Sequence, residues 1–110
     1  MRGLDLTYVV TQDECRAELY IDRGKDSEEE NKSIYDQLYQ VHEGIEKAIA
    51  FPISWERLDG RRASRIRISL PGGYRSPEEE WDRIQGPLIK AMNQLDQALK
   101  PHLKGLKLRD

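Results

Sequence analysis

A single cysteine, Cys15, excludes any disulfide within the chain and with it the disulfide-stapled secreted scaffolds, so a reducing compartment is expected. Net charge is nearly as scarce, since 18 lysines and arginines stand against 20 aspartates and glutamates and leave -2. The chain therefore lacks the broad positive field that draws proteins onto nucleic acid or acidic membranes, and any such binding must come from a local patch. No apolar run approaches the roughly 20 residues of a membrane-spanning helix. Residues 1–10, broken by Arg2, Asp5 and Thr7, hold no signal-peptide core. The expected location is cytoplasmic, without membrane association. Aromatic residues reach only 7%, so a stacking platform for bases would be thin.

What remains is ample for a core. Hydrophobic residues make up 37% of 110 residues, which suits a folded chain with residues 1–110 as a single domain. Leu4, Leu6, Tyr8 and Val10 recur with a period of two, as do Ala17, Leu19 and Ile21, which predicts two strands forming an antiparallel hairpin. Ser27 stands three residues before Glu30 in a capping-box arrangement, opening a helix whose stripe Ile34, Leu38, Val41, His42, Ile45 and Ile49 runs to about Ala50, where Pro52 ends it. Ile53, Trp55 and Arg57 then face Ile66, Ile68 and Leu70 across Asp59-Gly60, the residues a type I′ turn demands. With those two as the turn, Ile53 lies opposite Ile66. Trp55, Ser64 and Ile68 share the core face, and Glu56, Arg61, Arg65 and Arg67 share the solvent face.

Ser76-Pro77-Glu78-Glu79 predicts the start of a second helix, with the stripe Trp81, Ile84, Leu88, Met92, Leu95 and Leu99 and a kink or division at Gly86-Pro87. Pro101 and Gly105 mark its end, and the tail from Lys104 to Asp110 is expected to fray. The fold class is α+β, a two-layer sandwich in the order ββαββα, with a four-stranded, mainly antiparallel sheet and both helices on one face. The two ββα halves admit a pseudo-twofold relation without visible repetition in sequence.

Catalytic signals are missing. His42, His102 and Cys15, the last placed in a turn, have no zinc or nucleophile spacing, and Gly72-Gly73 lacks the residues of a phosphate loop. His42 lies on or beside the apolar stripe and reads as structural. The acid clusters Asp26, Glu28, Glu29, Glu30 and Glu78, Glu79, Glu80, Asp82 open helices, where free N–H groups and the dipole favour them. The expectation is no enzyme, no metal and no cofactor. One constellation stands out. Arg57, Arg61, Arg62, Arg65 and Arg67 crowd the second hairpin against only Glu56 and Asp59, and Tyr20 shares their outer face. These six residues form the candidate surface for nucleic acid or a partner. Pairing with Glu18 and Glu56 within the chain is the alternative use of the arginines.

The run Asn31-Lys32-Ser33-Ile34-Tyr35-Asp36-Gln37-Leu38, then Ile45-Glu46, then Trp55-Glu56-Arg57-Leu58-Asp59-Gly60-Arg61-Arg62-Ala63-Ser64-Arg65-Ile66, resembles the uncharacterised domain-of-unknown-function family 4268. Ala17-Glu18-Leu19-Tyr20-Ile21 and the acidic, Trp81-centred opening of the last helix extend the likeness. The resemblance implies a prokaryotic domain with no established activity, often found C-terminal to a restriction-endonuclease-like part. It carries no catalytic residues over, because Glu30-Asn31-Lys32, the local acid-x-Lys, lies in a helix start. The expected function is a non-enzymatic accessory or protein-interaction domain, its partner another protein or a second copy. The alternative is a nucleic-acid-binding module, with weak, salt-sensitive binding through the Arg-rich hairpin.

Overall fold

The structure, a computed structural model, describes residues 2–108. Strands β1 (Leu4–Val10) and β2 (Glu14–Ile21) are followed by helices α1 (Glu28–Tyr39) and α2 (His42–Lys47). Strands β3 (Ser54–Glu56) and β4 (Ser64–Pro71) come next, and helix α3 (Trp81–Lys104) closes the order. All strands pair antiparallel in the order β1-β2-β4-β3, and the helices pack on one face, giving the expected α+β sandwich. This strand order is the one a twofold relation between the two halves would produce.

The period-two stretches supply the core. Ala17, Leu19 and Ile21 of β2 and Ile66 and Ile68 of β4 are fully buried beneath Ile34 and Leu38 of α1 and Leu95 and Leu99 of α3. Each of these leucines and isoleucines contributes about 1.5–3 kcal/mol on burial. Cys15 also belongs here, inside β2 rather than in a turn, and burial raises its thiol pKa above the ordinary value. Trp81 does not belong to the core. It stands half-exposed where α3 opens, its indole N–H donating to the carbonyl of Ser76 at 3.2 Å. Tyr8 and Val10 face the helices' side but remain exposed because β1 is an edge strand.

Several local expectations give way to tertiary contacts. The first helix divides at Gln40-Val41. The Nδ1–H of His42 donates to the carbonyl of Tyr39 at 2.6 Å, and the main-chain N–H of Val41 turns back to Leu38. The capping box does not form, because the Ser27 hydroxyl donates to the carbonyl of Gly24 and Glu30 pairs with Arg23 at 2.8 Å. A short 3₁₀ turn, Glu78–Glu80, precedes α3 in place of a helix opened by Ser76. Helix α3 runs unbroken through Pro87 and Pro101, both on its exposed side, where water can serve the carbonyls those prolines leave unbonded. The tail is held as far as Leu108. Gln37 and the backbone of Lys107 exchange hydrogen bonds of 3.0 and 2.9 Å, and Leu106 and Leu108 pack on the core, while Arg109 and Asp110 lie outside the described residues.

The second hairpin departs most. Trp55 lies opposite Ile66, two residues from the expected register, and pairing stops at Glu56 with Arg65. A shift of two keeps every side chain on its expected face. Asp59-Gly60 does turn the chain, with the Arg61 N–H donating to the Leu58 carbonyl at 2.9 Å. Gly60 has φ of +88° and Asp59 does not share the positive sign, which is the sign pattern of a type II turn.

Candidate functional site

The cause of that register is a buried polar junction between α1 and the hairpin loop. Asn31 occupies the stripe position three residues before Ile34, where it is fully buried. Its amide accepts from the Arg23 N–H at 3.0 Å and donates to the Arg62 carbonyl at 3.0 Å and the Ser27 hydroxyl at 3.1 Å. Lys32 beside it is also buried. Its ammonium donates to the carbonyls of Arg57 at 2.5 Å, Leu58 at 3.1 Å and Ala63 at 2.7 Å, and to the Ser64 hydroxyl at 3.0 Å. Pairing between β3 and β4 ends at Glu56 with Arg65, and beyond it the loop opens around the ammonium. Burial, and then the charge of Arg57, lowers the pKa of Lys32 below its ordinary value. With all its N–H groups engaged, this amine is a structural cation.

The arginines of the candidate surface are separated by their partners. Arg57 holds Asp36 in a two-pronged pair, at 2.9 and 3.1 Å, and also contacts Asp59. Arg62 turns to the opposite side of the loop and holds Asp22 through bonds of 2.9 and 2.8 Å. That contact is the first cause of the lowered Asp22 pKa. Arg65 and Arg67 both meet Glu56 across the sheet. They lie along the helix-free face as a partly covered layer, not as free solvent-facing groups. Arg61 alone of the five has no ion-pair partner among the described residues and is exposed. Tyr20, 40% exposed, stands opposite Arg65 in the β2–β4 register. Glu18, beside it on the same face, is buried, with its Oε2 outside any hydrogen bond, as are Nε of Arg16 and Nη1 of Arg67.

An aromatic corner completes the region. Tyr39 stacks on His42 with ring centres 4.3 Å apart, and the Trp55 ring stands edge-on to Tyr39 at 5.5 Å and to His42 at 6.0 Å. Tyr35 abuts both Tyr39 and Trp55 from the buried side. The Trp55 N–H donates to Glu46 at 3.0 Å, which ties α2 to β3. Tyr39 is 44% exposed and Val41 is exposed next to it, so the corner presents ordered rings to solvent at the β3 edge. Sequence reasoning assigned Asn31, Lys32, Asp36 and Tyr39 no site role. The one available signal was a polar residue, Asn31, at an apolar-stripe position. An open groove of about 700 Å³ runs between α1 and the loop, lined by Glu28, Lys32, Ser33, Asp36, Gln40 and Arg57 among others. Two of its charged groups, Arg57 and Asp36, are bonded to each other.

The architecture defines a small α+β domain whose helix α1 and second hairpin are locked together by buried polar contacts. Residues 1–103 match the family described as Domain of unknown function (DUF4268), and the chain belongs to that family. The stretches that carried the resemblance, around Asn31-Lys32 and Trp55 to Arg62, are the two sides of this junction. No curated protein and no solved structure matches the chain. No helix among the described residues is long and apolar enough to cross a membrane.

Proposed function

We propose that this chain is a non-enzymatic protein-interaction domain that docks through the aromatic corner of Tyr39, Val41, His42 and Trp55. One contrast carries the reading. The hairpin cations Arg57, Arg62, Arg65 and Arg67 are engaged by carboxylates of the chain itself, whereas an ordered ring stack stands open at the sheet edge. Rigid aromatics anchor protein interfaces because they bury large areas at little entropic cost, while neutralised surface ion pairs add little attraction. In the polar groove the lysine and the Arg57–Asp36 pair are engaged within the chain, which favours the interaction reading over a catalytic one. The proposed setting is the cytoplasm of a prokaryote, as accessory to a restriction-endonuclease-like protein. The buried free thiol of Cys15 suits that compartment.

A second reading rests on Tyr20 and Arg61. The exposed ring opposite Arg65 and the unpaired guanidinium offer stacking and phosphate contacts for a single strand. One set of variants separates the two. Affinity capture of the neighbouring gene product should fail for Tyr39→Ala/Val41→Ser and persist for Tyr20→Ala/Arg61→Glu. Anisotropy titration of single- and double-stranded oligonucleotides at low salt should show no binding. Oligonucleotide binding abolished by Tyr20→Ala/Arg61→Glu would establish the second reading instead.

A further inference from the structure

Strand β1 forms the sheet edge opposite β3, and its hydrogen-bond parity follows from two flanking contacts. The Thr11 N–H donates to the Glu14 carbonyl at 2.8 Å, and the Asp22 N–H donates to the Gly3 carbonyl at 2.8 Å. Odd-numbered residues of β1 therefore exchange bonds with β2, and the N–H and C=O groups of Leu4, Leu6, Tyr8 and Val10 point outward. No other group among the described residues bonds to them. Such edges are normally blunted by lysine, proline or a bulge. Over Leu4–Val10 the only charged side chain is Asp5, there is no proline, and the pairing with β2 is continuous. The same even-numbered residues carry side chains toward the helix face, where Tyr8 and Val10 are each 48% exposed.

We propose that β1 pairs with β1 of a second copy of this chain, antiparallel about a twofold axis through Thr7, to give a continuous eight-stranded sheet. The register is dictated by parity. Outward groups sit on even-numbered residues, so hydrogen-bonded pairs join even to even. Centring on Thr7 sets Leu4 opposite Val10 and Leu6 opposite Tyr8 and engages all four outward positions. Centring on Leu6 or Tyr8 strands one end of the edge. In the chosen register the half-exposed Tyr8 and Val10 meet Leu6 and Leu4 of the second copy. On the other face Thr7 meets Thr7 and Asp5 meets Val9, so no like charges oppose each other. The dimer uses the edge remote from the aromatic corner, so it stands or falls independently of the partner reading.

Sedimentation equilibrium over a micromolar concentration series tests it. The wild type should be in monomer–dimer equilibrium. Thr7→Lys should raise the dimer dissociation constant about tenfold or more, because two ammonium groups would face each other at the axis. Thr7 is exposed in the monomer, so circular dichroism should be unchanged. Thr7→Glu should dissociate likewise, and mixing the two variants should restore a dimer. Should either variant fail to fold, Thr7→Cys supplies the readout. Its non-hydrogen-bonded pair, with Cα atoms about 4.5 Å apart, should form an intermolecular disulfide with oxidised glutathione. A wild type monomeric throughout, a dimer indifferent to Thr7→Lys, or a wild-type dimer that Thr7→Cys cannot cross-link would overturn the proposal.

Discussion

The ammonium of Lys32 lies 3.0 Å from the hydroxyl of Ser64, joining α1 to the first residue of β4. Three loop carbonyls complete the shell around that ammonium. Lys32→Met keeps most of the length of the side chain but leaves the Leu58 and Ala63 carbonyls without that donor, while the Arg57 carbonyl keeps the Ser64 hydroxyl at 2.7 Å. Urea denaturation should show a loss of about 1–3 kcal/mol, the range for buried polar groups left unsatisfied. Amide exchange across the loop from Arg57 to Ala63 should quicken. Unchanged stability would mean that water replaces the ammonium at no cost.

Ile66 is fully buried and directly opposes both Trp55 and Leu19, whereas Trp81 is half-exposed at the mouth of α3. Ile66→Ala should therefore cost about 2–5 kcal/mol. Trp81→Ala should cost much less despite the larger side chain removed. Thermal melts of the two variants side by side would check this order, and a greater loss from Trp81→Ala would contradict the packing described.

Gly73 sits against the first hairpin, where an added Cβ would come within 2.1 Å of the Thr11 carbonyl oxygen and 2.7 Å of that of Gln12. Those are backbone atoms, and Tyr74 and Arg75 donate their N–H groups to the same two carbonyls at 2.9 and 3.0 Å. Gly73→Ala must break that docking, with an expected loss of about 2–3 kcal/mol. Gly86→Ala meets nothing within 4 Å and lies in a helix, so it should be neutral or slightly stabilising in the same assay.

Acid should weaken the fold through Asp22 and Glu56. The Asp22 carboxylate accepts from Arg62 and from the Gly24 N–H, which holds its pKa below the ordinary 3.8. For Glu56 burial pushes upward, but hydrogen bonds from Arg65 and Ser54 and the charges of Arg67 and Arg65 outweigh it, leaving the group below the ordinary 4.5. Depressed folded values mean that the unfolded chain takes up protons first. The stabilisation is whole above the unfolded values and is lost as pH falls through the folded ones. Denaturation at a series of pH values should show stability declining below 4.5. Asp22→Asn should be less stable at neutral pH, with a shallower decline. An unaltered acid slope would remove Asp22 from this role.

Much of this was legible in the sequence because period and burial are local properties. Alternation in Ala17-Leu19-Ile21 and Ile66-Ile68, the stripe at Ile34 and Leu38, and the turn at Asp59-Gly60 settled the faces of these elements and, apart from the division of the first helix, the ββαββα order. A register error of two residues at Trp55 left the faces intact, since side chains alternate with a period of two. What only the tertiary structure decided depends on groups distant along the chain. Lys32 meets the loop 25 to 32 residues later and opens it. The arginine cluster that reads as a positive patch in sequence is divided among Asp22, Asp36, Asp59 and Glu56 once the chain folds. The physical reason is one of range. Hydrophobic period is written residue by residue, whereas a charge finds its partner only after the backbone has brought distant segments within a few ångströms, where Coulomb attraction and hydrogen-bond geometry take over.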